Sequence, residues 1–491
     1  MRPLYLAAIL VYLSALMVVG AWFARRVRTG ADFMVAGRRL GLPVLVGTLL
    51  ATWIGTGSIM GNAGLGWRAG LSALWSPLGG VVGIAVVYFV AGRARRFGAF
   101  TVPDILEARY NAAARVLATA VTVVAYTVIT SYQFRAGGRV LHLVTGMVVE
   151  TGIVVTAAFV IAYTALAGML SVAYTDFVNG VIMTLGFLIA LPLAVASAGG
   201  LSGVAERLSP DYFAPFHGEV RGVNVWNLML PGMLLLLGES NMYGRFFSAR
   251  DAGVARRAVV GWVVGTVLLE TVVVLLGVTG RALYPNLPEL YPDVRNASEV
   301  VIPHMILVAV HPALGVLLLA ALAAVIVSTA DSFLLTPASN LVHDVWRRFI
   351  RPQTSERAAV WLLRGVVVAL GVWAWLQVQF FPDVLQAALY AYTMYGAGVT
   401  PAVLGAFFWK RATPWGGAAS VGTGMVVTLL WEWVVQPALS AAGSPWAAVD
   451  PVIPAAVSSV VVLVVVSLLG SPPASEKWAP FFRGAEEARP V

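Results

Sequence analysis

Runs of about twenty apolar residues follow one another along this chain, with short polar stretches between them. Hydrophobic residues make up 59% of the 491 residues and charged residues only 11%, whereas a soluble domain carries about 25% charge. A helix of about twenty apolar residues crosses a bilayer, because its backbone polar groups are satisfied internally. The pattern therefore predicts an all-α polytopic membrane protein. About thirteen transmembrane helices are expected, near residues 4–24, 41–66, 70–92, 113–143, 151–171, 174–198, 224–246, 254–280, 301–340, 357–379, 383–408, 414–437 and 449–470.

The placement of Arg and Lys predicts how these helices are oriented. Basic residues cluster in every second loop, and the loop at 281–300 is acidic. Because cytoplasmic loops are enriched in Lys and Arg, we expect the N-terminus outside and the C-terminus inside the cell membrane. The net charge of +9 follows from this topology and does not indicate a nucleic-acid partner. The basic loops carry Arg25, Arg26, Arg28, Arg38 and Arg39; Arg93, Arg95 and Arg96; Arg250, Arg256 and Arg257; Arg347, Arg348 and Arg351; Lys410 and Arg411.

One apolar span contains four oxygen-bearing side chains at residues 328–332. On a helix, Ser328, Asp331 and Ser332 stand at i, i+3 and i+4, which places them on one face. A charged residue near the bilayer centre costs about 2.5–3.5 kcal/mol, so it is rare unless it faces a cavity and has a function. Hard cations bind such clusters of oxygens. The segment therefore predicts a cation-coupled transporter.

Two spans are interrupted near their middle. Residues 51–64 are rich in glycine, serine and threonine, which weakens the helix, and residues 227–241 contain Pro231, Gly232 and Glu239. The two interruptions lie five spans apart, at matching positions in consecutive five-helix blocks. Paired broken helices in the halves of an inverted repeat indicate a binding site at the bilayer midplane. The alternative is that the small residues serve helix packing alone, which fits one interrupted span better than a matched pair.

These motifs resemble those of the sodium:solute symporter family, which includes sodium/glucose, sodium/proline and choline/pantothenate-type cotransporters. The resemblance implies a leucine-transporter-like inverted-repeat fold of 5+5 core helices. Its divisions would be an extra N-terminal transmembrane helix and first cytoplasmic loop (1–40), a first repeat (41–200), a second repeat (201–412), two C-terminal transmembrane helices (413–472) and a cytoplasmic tail (473–491). The segments that carry the resemblance are 32–38, Ala51-Thr52-Trp53-Ile54, 174–180, 245–250, Ser328-Thr329-Ala330-Asp331-Ser332, 395–398 and 408–411.

The resemblance also implies a sodium site between the first interrupted span and the helix at 328–332. A helix break frees carbonyls for such a site; the alternative for the hydroxyls is bonding back to their own helix. The implied ligands are the carbonyls of Ala51, Ile54 and Val325 and the hydroxyls of Ser328 and Thr329. Some members hold a second sodium ion, whose ligands would map onto Asp176, Ser328, Asp331 and Ser332. The carboxylates of this second set also fit a proton relay or an arginine-paired structural group.

The substrate cavity is expected between the interrupted spans and the helices that cross them. Tyrosines together with Glu239 would suit a quaternary amine, while Arg135 would clamp a carboxylate. In the structural alternative, other protein groups satisfy both charges. The candidates are Ser58, Asn62, Tyr126, Tyr132, Gln133, Arg135, Glu239, Ser240, Asn241, Tyr392 and Tyr395. The remaining intramembrane charges, Glu270, Arg364 and Glu432, are expected in structural pairs or near interfaces.

The sequence therefore predicts a sodium-coupled secondary active symporter that imports a small organic solute by alternating access. Its expected partners are that solute, one sodium ion or two, and the lipid bilayer, and the chain is expected to be a monomer or weak oligomer. A choline, pantothenate or amino-acid-like cargo is slightly favoured. The alternatives are a proton-coupled carrier and a sugar or sialic acid symporter. A channel or a membrane-embedded enzyme fits least. An enzyme would need a nucleophile–base or metal constellation, whereas the chain has no cysteine and its five histidines are scattered; a channel would show downhill flux uncoupled from sodium.

Overall fold

The structure is a computed structural model that describes residues 2–24, 36–166, 169–308 and 312–482. These residues form helices joined by short loops, with one isolated β-bridge between Leu40 and Ala249. Part of the first basic loop, including residues 32–35 of the family motif, lies outside the described residues.

The described helices are numbered in chain order. The first eleven are α1 (Arg2–Ala24), α2 (Leu42–Trp53), α3 (Ala63–Ala69), α4 (Trp75–Phe97), α5 (Val102–Arg109), α6 (Ala112–Thr145), α7 (Val149–Leu166), α8 (Met169–Ser197), α9 (Gly200–Arg207), α10 (Val223–Gly238) and α11 (Ser240–Ser248). The others are α12 (Ala252–Leu283), α13 (Leu287–Leu290), α14 (Val301–Val308), α15 (Pro312–Asn340), α16 (Glu356–Gln377), α17 (Val384–Gly398), α18 (Thr400–Phe408), α19 (Pro414–Leu430), α20 (Gln436–Ala441), α21 (Val452–Leu469) and α22 (Ser475–Phe482). Wider π-helical turns at Gly57–Asn62, Leu341–Ile350 and Trp431–Val435 continue three of the helical runs.

Nine helical runs among the described residues are long and apolar enough to cross a membrane. The remaining predicted spans coincide with α1, α2, the pair α10 and α11, and the pair α17 and α18. Three of these four are interrupted, and each piece is shorter than the helix of about twenty residues that spans a bilayer. The all-helical prediction is confirmed, while the count of thirteen crossings stays a prediction.

The two spans that the sequence predicts to be interrupted, which contain α2 and α10, lie at the centre of the bundle. Helix α2 packs against α8 and α12, and α10 packs against α4 and α17. Helix α15 packs against α6 and α8 and also contacts α2. The oxygen-bearing face of α15 therefore meets the first interrupted span inside the protein, away from lipid.

The predicted tail begins with a packed helix. Within α22, the Phe481 ring is buried and stacks on Phe97 with 4.8 Å between ring centroids. The Lys410 ammonium lies over the Trp478 ring at 4.9 Å. The first half of the tail is therefore part of the bundle.

Several helices cross so closely that only glycine fits between them. A Cβ atom added at Gly79 would lie 1.9 Å from the carbonyl oxygen of Met229, where α4 meets α10. The same addition at Gly277 would lie 2.1 Å from the carbonyl oxygen of Ala63, where α12 meets α3. Small residues at membrane helix crossings allow this approach and the dispersion contacts that come with it.

Replacing Gly79 with alanine is expected to lower the thermal stability of the protein. The added methyl group would force α4 and α10 apart, and overpacking of this kind costs about 1–3 kcal/mol. The melting temperature of the detergent-purified protein measures the effect. Gly365→Ala is the matched control, because its added Cβ meets nothing within 4 Å and alanine favours a helix. An equal melting temperature for both variants would contradict the close crossing.

Candidate cation and substrate site

Helix α2 stops at Trp53, and the chain resumes helical hydrogen bonding a few residues later. Ile54 has φ −75° and ψ 78°, and the Gly55 amide turns back to donate to the Trp53 carbonyl at 2.8 Å. The Ser58 amide donates to the Gly55 carbonyl at 3.1 Å. In a regular helix these two amides would bond to the carbonyls of Ala51 and Ile54. The break therefore releases the two carbonyls that the sequence assigned to the sodium site.

The hydroxyls of α15 face this break. A Cβ atom added at Gly55 would lie 3.0 Å from Thr329 Oγ1, so glycine permits the close approach. Thr329 Oγ1 is buried and has no hydrogen-bond partner among the described residues. Ser328 Oγ lies 3.4 Å from the Ala51 carbonyl oxygen and donates to Asp176 Oδ1 at 2.5 Å. Neither hydroxyl bonds back to its own helix, so the structural alternative does not describe this state.

This arrangement has the chemistry of a small hard-cation site. A buried hydroxyl without a partner is costly, and the Thr329 hydroxyl adjoins Gly55, inside the break that releases the two carbonyls. Val325 lies one turn earlier on α15 and is buried with Ile54. Neutral oxygens from an unwound helix and its neighbour are the donors that sodium-coupled carriers use at the bilayer midplane. The donor set fits Na⁺.

The four residues of the second predicted cation site also lie together, but a guanidinium lies among them. Arg245 Nη2 donates to Asp176 Oδ2 at 3.0 Å and to Ser332 Oγ at 2.9 Å. Ser332 Oγ also lies 3.3 Å from Asp331 Oδ1. All of these side chains are buried.

Arg245 is a buried charge of this cluster whose place in it the sequence did not predict. It lies on α11, and its Nε donates to Thr48 Oγ1 at 3.0 Å. The Thr48 hydroxyl in turn donates to Asp176 Oδ2 at 2.8 Å. The sequence signal was its place just after the second interrupted span, where it was used only as part of the family motif.

A narrow central cavity lies beside the first interrupted span and encloses about 20 Å³. Among the predicted substrate residues, it is lined by Ser58, Asn62 and Tyr392. The Trp53 and Tyr392 rings flank it, with centroids 5.7 Å apart. The volume has room for a water molecule at most, so cargo enters only when the cavity widens.

None of the other predicted substrate residues lines this cavity, and several of them hold the helix breaks. Glu239 caps α11 through the amides of Asn241 and Met242 and accepts a hydrogen bond from Tyr126. Tyr395 Oη bonds Ser240 at 2.8 Å and the Gly238 carbonyl at 2.9 Å. Tyr126, Tyr395 and Glu239, which were expected to surround a quaternary amine, therefore stabilise the interruption between α10 and α11 instead.

Three further residues that were expected to line the substrate cavity bind other protein groups. Arg135 lies away from the cavity and donates to the Val378 carbonyl at 2.6 Å. Gln133 accepts a hydrogen bond from Thr56 at 2.7 Å, beside the break. The Asn241 side chain accepts from Thr336. The predicted Arg135 clamp is therefore not formed.

Glu270 does not form the structural ion pair that was one of the two roles expected for it, among the described residues. It is 1% exposed, and its carboxylate accepts hydrogen bonds from Ser58 Oγ at 2.6 Å and Asn62 Nδ2 at 3.0 Å. Since Ser58 and Asn62 both line the central cavity, Glu270 stands directly behind the cavity wall. The other two intramembrane charges lie away from the central cavity. The Arg364 guanidinium lies over the Trp361 ring at 5.0 Å, and Glu432 lines the vestibule described next.

A larger cavity of about 320 Å³, here called the vestibule, adjoins the central cavity. The side chains of Leu228, Leu385 and Leu389 line both spaces, so a leucine layer separates them. The vestibule wall carries Asp450, and burial raises the pKa of this carboxyl group to about 7. The vestibule therefore becomes more negative as the pH rises through neutrality.

The arrangement is that of a secondary transporter: a candidate cation site at a helix break, with an adjoining cavity closed by an apolar layer. The model of the sodium:solute symporter family matches residues 33–424. The chain belongs to the sodium:solute symporter family. The family predicted from the sequence is therefore confirmed, and the protein is a transporter, not an enzyme.

Named relatives and a solved structure agree with this family. The chain is 30% identical to the high-affinity proline transporter PutP of Bacillus subtilis, over 85% of this chain and 89% of PutP. It is 28% identical to the osmoregulated proline transporter OpuE of the same organism, over 96% of each chain. A Na⁺-coupled sialic acid symporter, solved in a substrate-bound outward-open state, superposes with a TM-score of 0.81 at 18% identity, covering 96% of this chain and 98% of that one. This superposition confirms the leucine-transporter-like fold.

Neutralising one member of the Asp176–Arg245 pair is expected to destabilise the protein strongly. Asp176→Asn leaves a buried guanidinium without its counter-charge, which costs about 3–5 kcal/mol, and Arg245→Met leaves the carboxylate equally unpaired. The double variant D176N/R245M removes both charges and is expected to recover most of the loss. Melting temperatures of the three purified variants measure this coupling.

Arg347→Met serves as the matched control for the buried pair. Arg347 pairs with Glu356 at 2.9 Å at a partly exposed position, where such a pair contributes about 0–1 kcal/mol. Additive losses in the double variant would contradict direct coupling between Asp176 and Arg245.

Proposed function

We propose that this protein imports a small amino acid of the proline type together with sodium. The observation that carries the sodium assignment is the unpartnered Thr329 hydroxyl beside Gly55, in the helix break that releases the carbonyls of Ala51 and Ile54. The sodium ion would be held by these carbonyls, the Val325 carbonyl and the hydroxyls of Ser328 and Thr329. It would supply the charge that brings both halves of the interrupted span against α15.

Two observations support an amino acid as the cargo. The named relatives at 28–30% identity are proline transporters, and they align along most of their length. The central cavity combines aromatic and aliphatic walls, from Trp53, Tyr392 and Leu228, with the polar groups of Ser58 and Asn62. A small ring with a charged end matches this mixture better than a large polyhydroxylated sugar does.

Choline is disfavoured as the cargo by the placement of its expected cage. The rings of Tyr126 and Tyr395 stack on each other at 5.3 Å, and Glu239 caps α11. These groups do not face the central cavity, so they are not free to surround a quaternary amine. Of the cargo classes expected from the sequence, the amino-acid-like one is retained.

We propose that one sodium ion accompanies each cargo molecule. At the second cation position the Arg245 guanidinium would act as a permanent positive charge, because it already donates to Asp176 and Ser332 there. A guanidinium within hydrogen-bond distance of both ligands repels a second sodium ion at the same oxygens. Asp331 then remains the carboxylate on which the alternative of proton coupling depends.

Alternating access would open the central cavity to each side in turn. In the present state the Leu228, Leu385 and Leu389 side chains close it from the vestibule. The basic loops support a topology in which the vestibule opens outside the cell, with the N-terminus outside and the C-terminus in the cytoplasm of a plasma-membrane protein. The chain is proposed to act as a monomer or in a weak oligomer.

Thr329→Val is expected to raise the sodium concentration for half-maximal uptake by about tenfold or more. Valine keeps the shape of threonine and removes one cation ligand, a loss on the scale of 1–3 kcal/mol for a buried polar contact. Sodium-dependent proline uptake into proteoliposomes measures it.

Thr164→Val is the matched control for the sodium site. Thr164 is equally buried, but its hydroxyl bonds back to the Val160 carbonyl at 2.8 Å, so the sodium response should not change. A wild-type sodium response in the Thr329 variant would show that the sodium ion binds elsewhere.

The dependence of uptake on sodium is expected to be hyperbolic, with a Hill slope near one. If only one ion binds, occupancy follows a single-site isotherm, whereas filling a second site at Asp176 and Asp331 would make the curve sigmoidal. Initial uptake rates across sodium concentrations, at constant ionic strength and membrane potential, distinguish the two. A Hill slope near two would overturn the assignment of Arg245 as the fixed cation.

A further inference from the structure

Glu270 is a buried carboxylate without a counter-charge in the described part of the chain. Its two oxygens accept hydrogen bonds only from the neutral groups of Ser58 and Asn62. A buried carboxylate is costly unless an opposite charge or a proton compensates it. Glu270 also lines a second, mainly apolar cavity of about 440 Å³, whose described walls carry no Lys, Arg or His. The compensating charge is therefore sought in the central cavity, next to its two partners.

The space next to these partners is the central cavity. Asn62 is held on both sides, because its Oδ1 accepts from Ser76 at 2.9 Å while its amide nitrogen donates to Glu270. Ser58 is different, since its single proton is committed to Glu270. A hydroxyl that donates its proton backwards keeps its lone pairs for an incoming donor. The cavity wall therefore presents an acceptor with a negative charge behind it.

No Lys, Arg or His lines the central cavity among the described residues. A cargo that carries a carboxylate alone would meet the Glu270 charge without an opposing one. A cargo with a positively charged N–H group would donate to Ser58 and compensate Glu270. The aromatic faces of Trp53 and Tyr392 would contact the apolar body of the same molecule.

We infer that the central cavity recognises the ammonium group of its cargo at Ser58, and that Glu270 is the positioning residue that orients this hydroxyl and supplies the opposing charge. The inference rests on the proposed amino-acid transport and extends it, because it defines the cargo as an amine with at least one N–H. Ser58 would touch the cargo, while Glu270 acts through Ser58.

A pair of matched ligands tests this inference. Proline and tetrahydrofuran-2-carboxylate have the same ring and carboxylate, but the second has an ether oxygen where proline has its ammonium. Both compete for labelled proline in proteoliposomes of the wild type and of Glu270→Gln. The wild type should prefer proline strongly. In the variant, proline affinity should fall by about 10- to 100-fold, the range for a hydrogen bond to a charged group, while the affinity of the oxygen analogue stays nearly constant.

Further variants separate positioning from a merely structural effect. Glu270→Asp keeps the charge and should restore part of the preference for proline. Glu270→Gln should raise KM far more than it lowers the turnover rate. Thr271→Val changes the neighbouring residue on α12, which does not line the central cavity, and should leave the preference unchanged. If Glu270→Gln does not fold, Ser58→Ala tests the same contact and should lower proline affinity alone.

The inference would be overturned if Glu270→Gln, or Ser58→Ala, kept the wild-type ratio between the affinity for proline and the affinity for the oxygen analogue. A wild-type screen of labelled proline, alanine, glucose and pantothenate separates it from the proposed function. Sodium-driven uptake of alanine in place of proline would overturn the proline assignment. The inference would then stand only if Glu270→Gln lowers the affinity for alanine by the factor expected for proline. Sodium-driven uptake of glucose or pantothenate alone, neither of which has an ammonium group, would overturn both.

Discussion

The interruption of α2 at residues 54–56 is the constraint on which the rest of this structure depends. Backbone carbonyls released inside a bilayer need a partner, because there is no water to satisfy them. Here Gly55 lets Thr329 approach to within contact, and the Ser328 hydroxyl of α15 lies 3.4 Å from the released Ala51 carbonyl oxygen. On the other side of the break, Glu270 holds Ser58 and Asn62. One local departure from helical geometry therefore places the ion site and the cavity side by side.

The second interrupted span is connected to the first through a buried charge network. Arg245 follows the break between α10 and α11 and reaches Thr48 on α2, Asp176 on α8 and Ser332 on α15. Ser328 donates to the same aspartate. The ion site, the helix that follows the second break and the scaffold helix α8 thus share hydrogen-bond partners. A shift of α11 during alternating access would therefore act directly on the proposed sodium ligands.

The sequence predicts those parts of the site whose chemistry is local. The hydroxyls of Ser328 and Thr329 stand out because they interrupt an apolar helix, and the weakness of residues 51–64 as a helix can be read from composition. The roles of Arg245 and Glu270 could not be read in this way, because their partners lie 69 to 212 residues away in the chain.

The misplaced expectations have a related cause. Tyr126, Tyr395 and Glu239 are near the breaks, as expected, but composition does not say which way a side chain faces once two helices have packed. These residues cap and support the second break, whereas they were expected to line the cavity. Arg135 lies on the predicted helix but reaches the Val378 carbonyl. The fold was therefore more predictable than the cargo site, whose walls depend on helix rotation.

The zero-flux gradient of the reconstituted protein tests the central claim, one sodium ion coupled to one amino acid, most directly. A charge crossing 100 mV contributes about 2.3 kcal/mol, and a tenfold sodium gradient contributes about 1.4 kcal/mol. One ion then sustains a proline gradient of about 500-fold across proteoliposomes held at these values. Net proline flux should vanish near that gradient and should reverse when the sodium gradient is reversed at zero potential. A balance point that does not move with sodium would contradict the account.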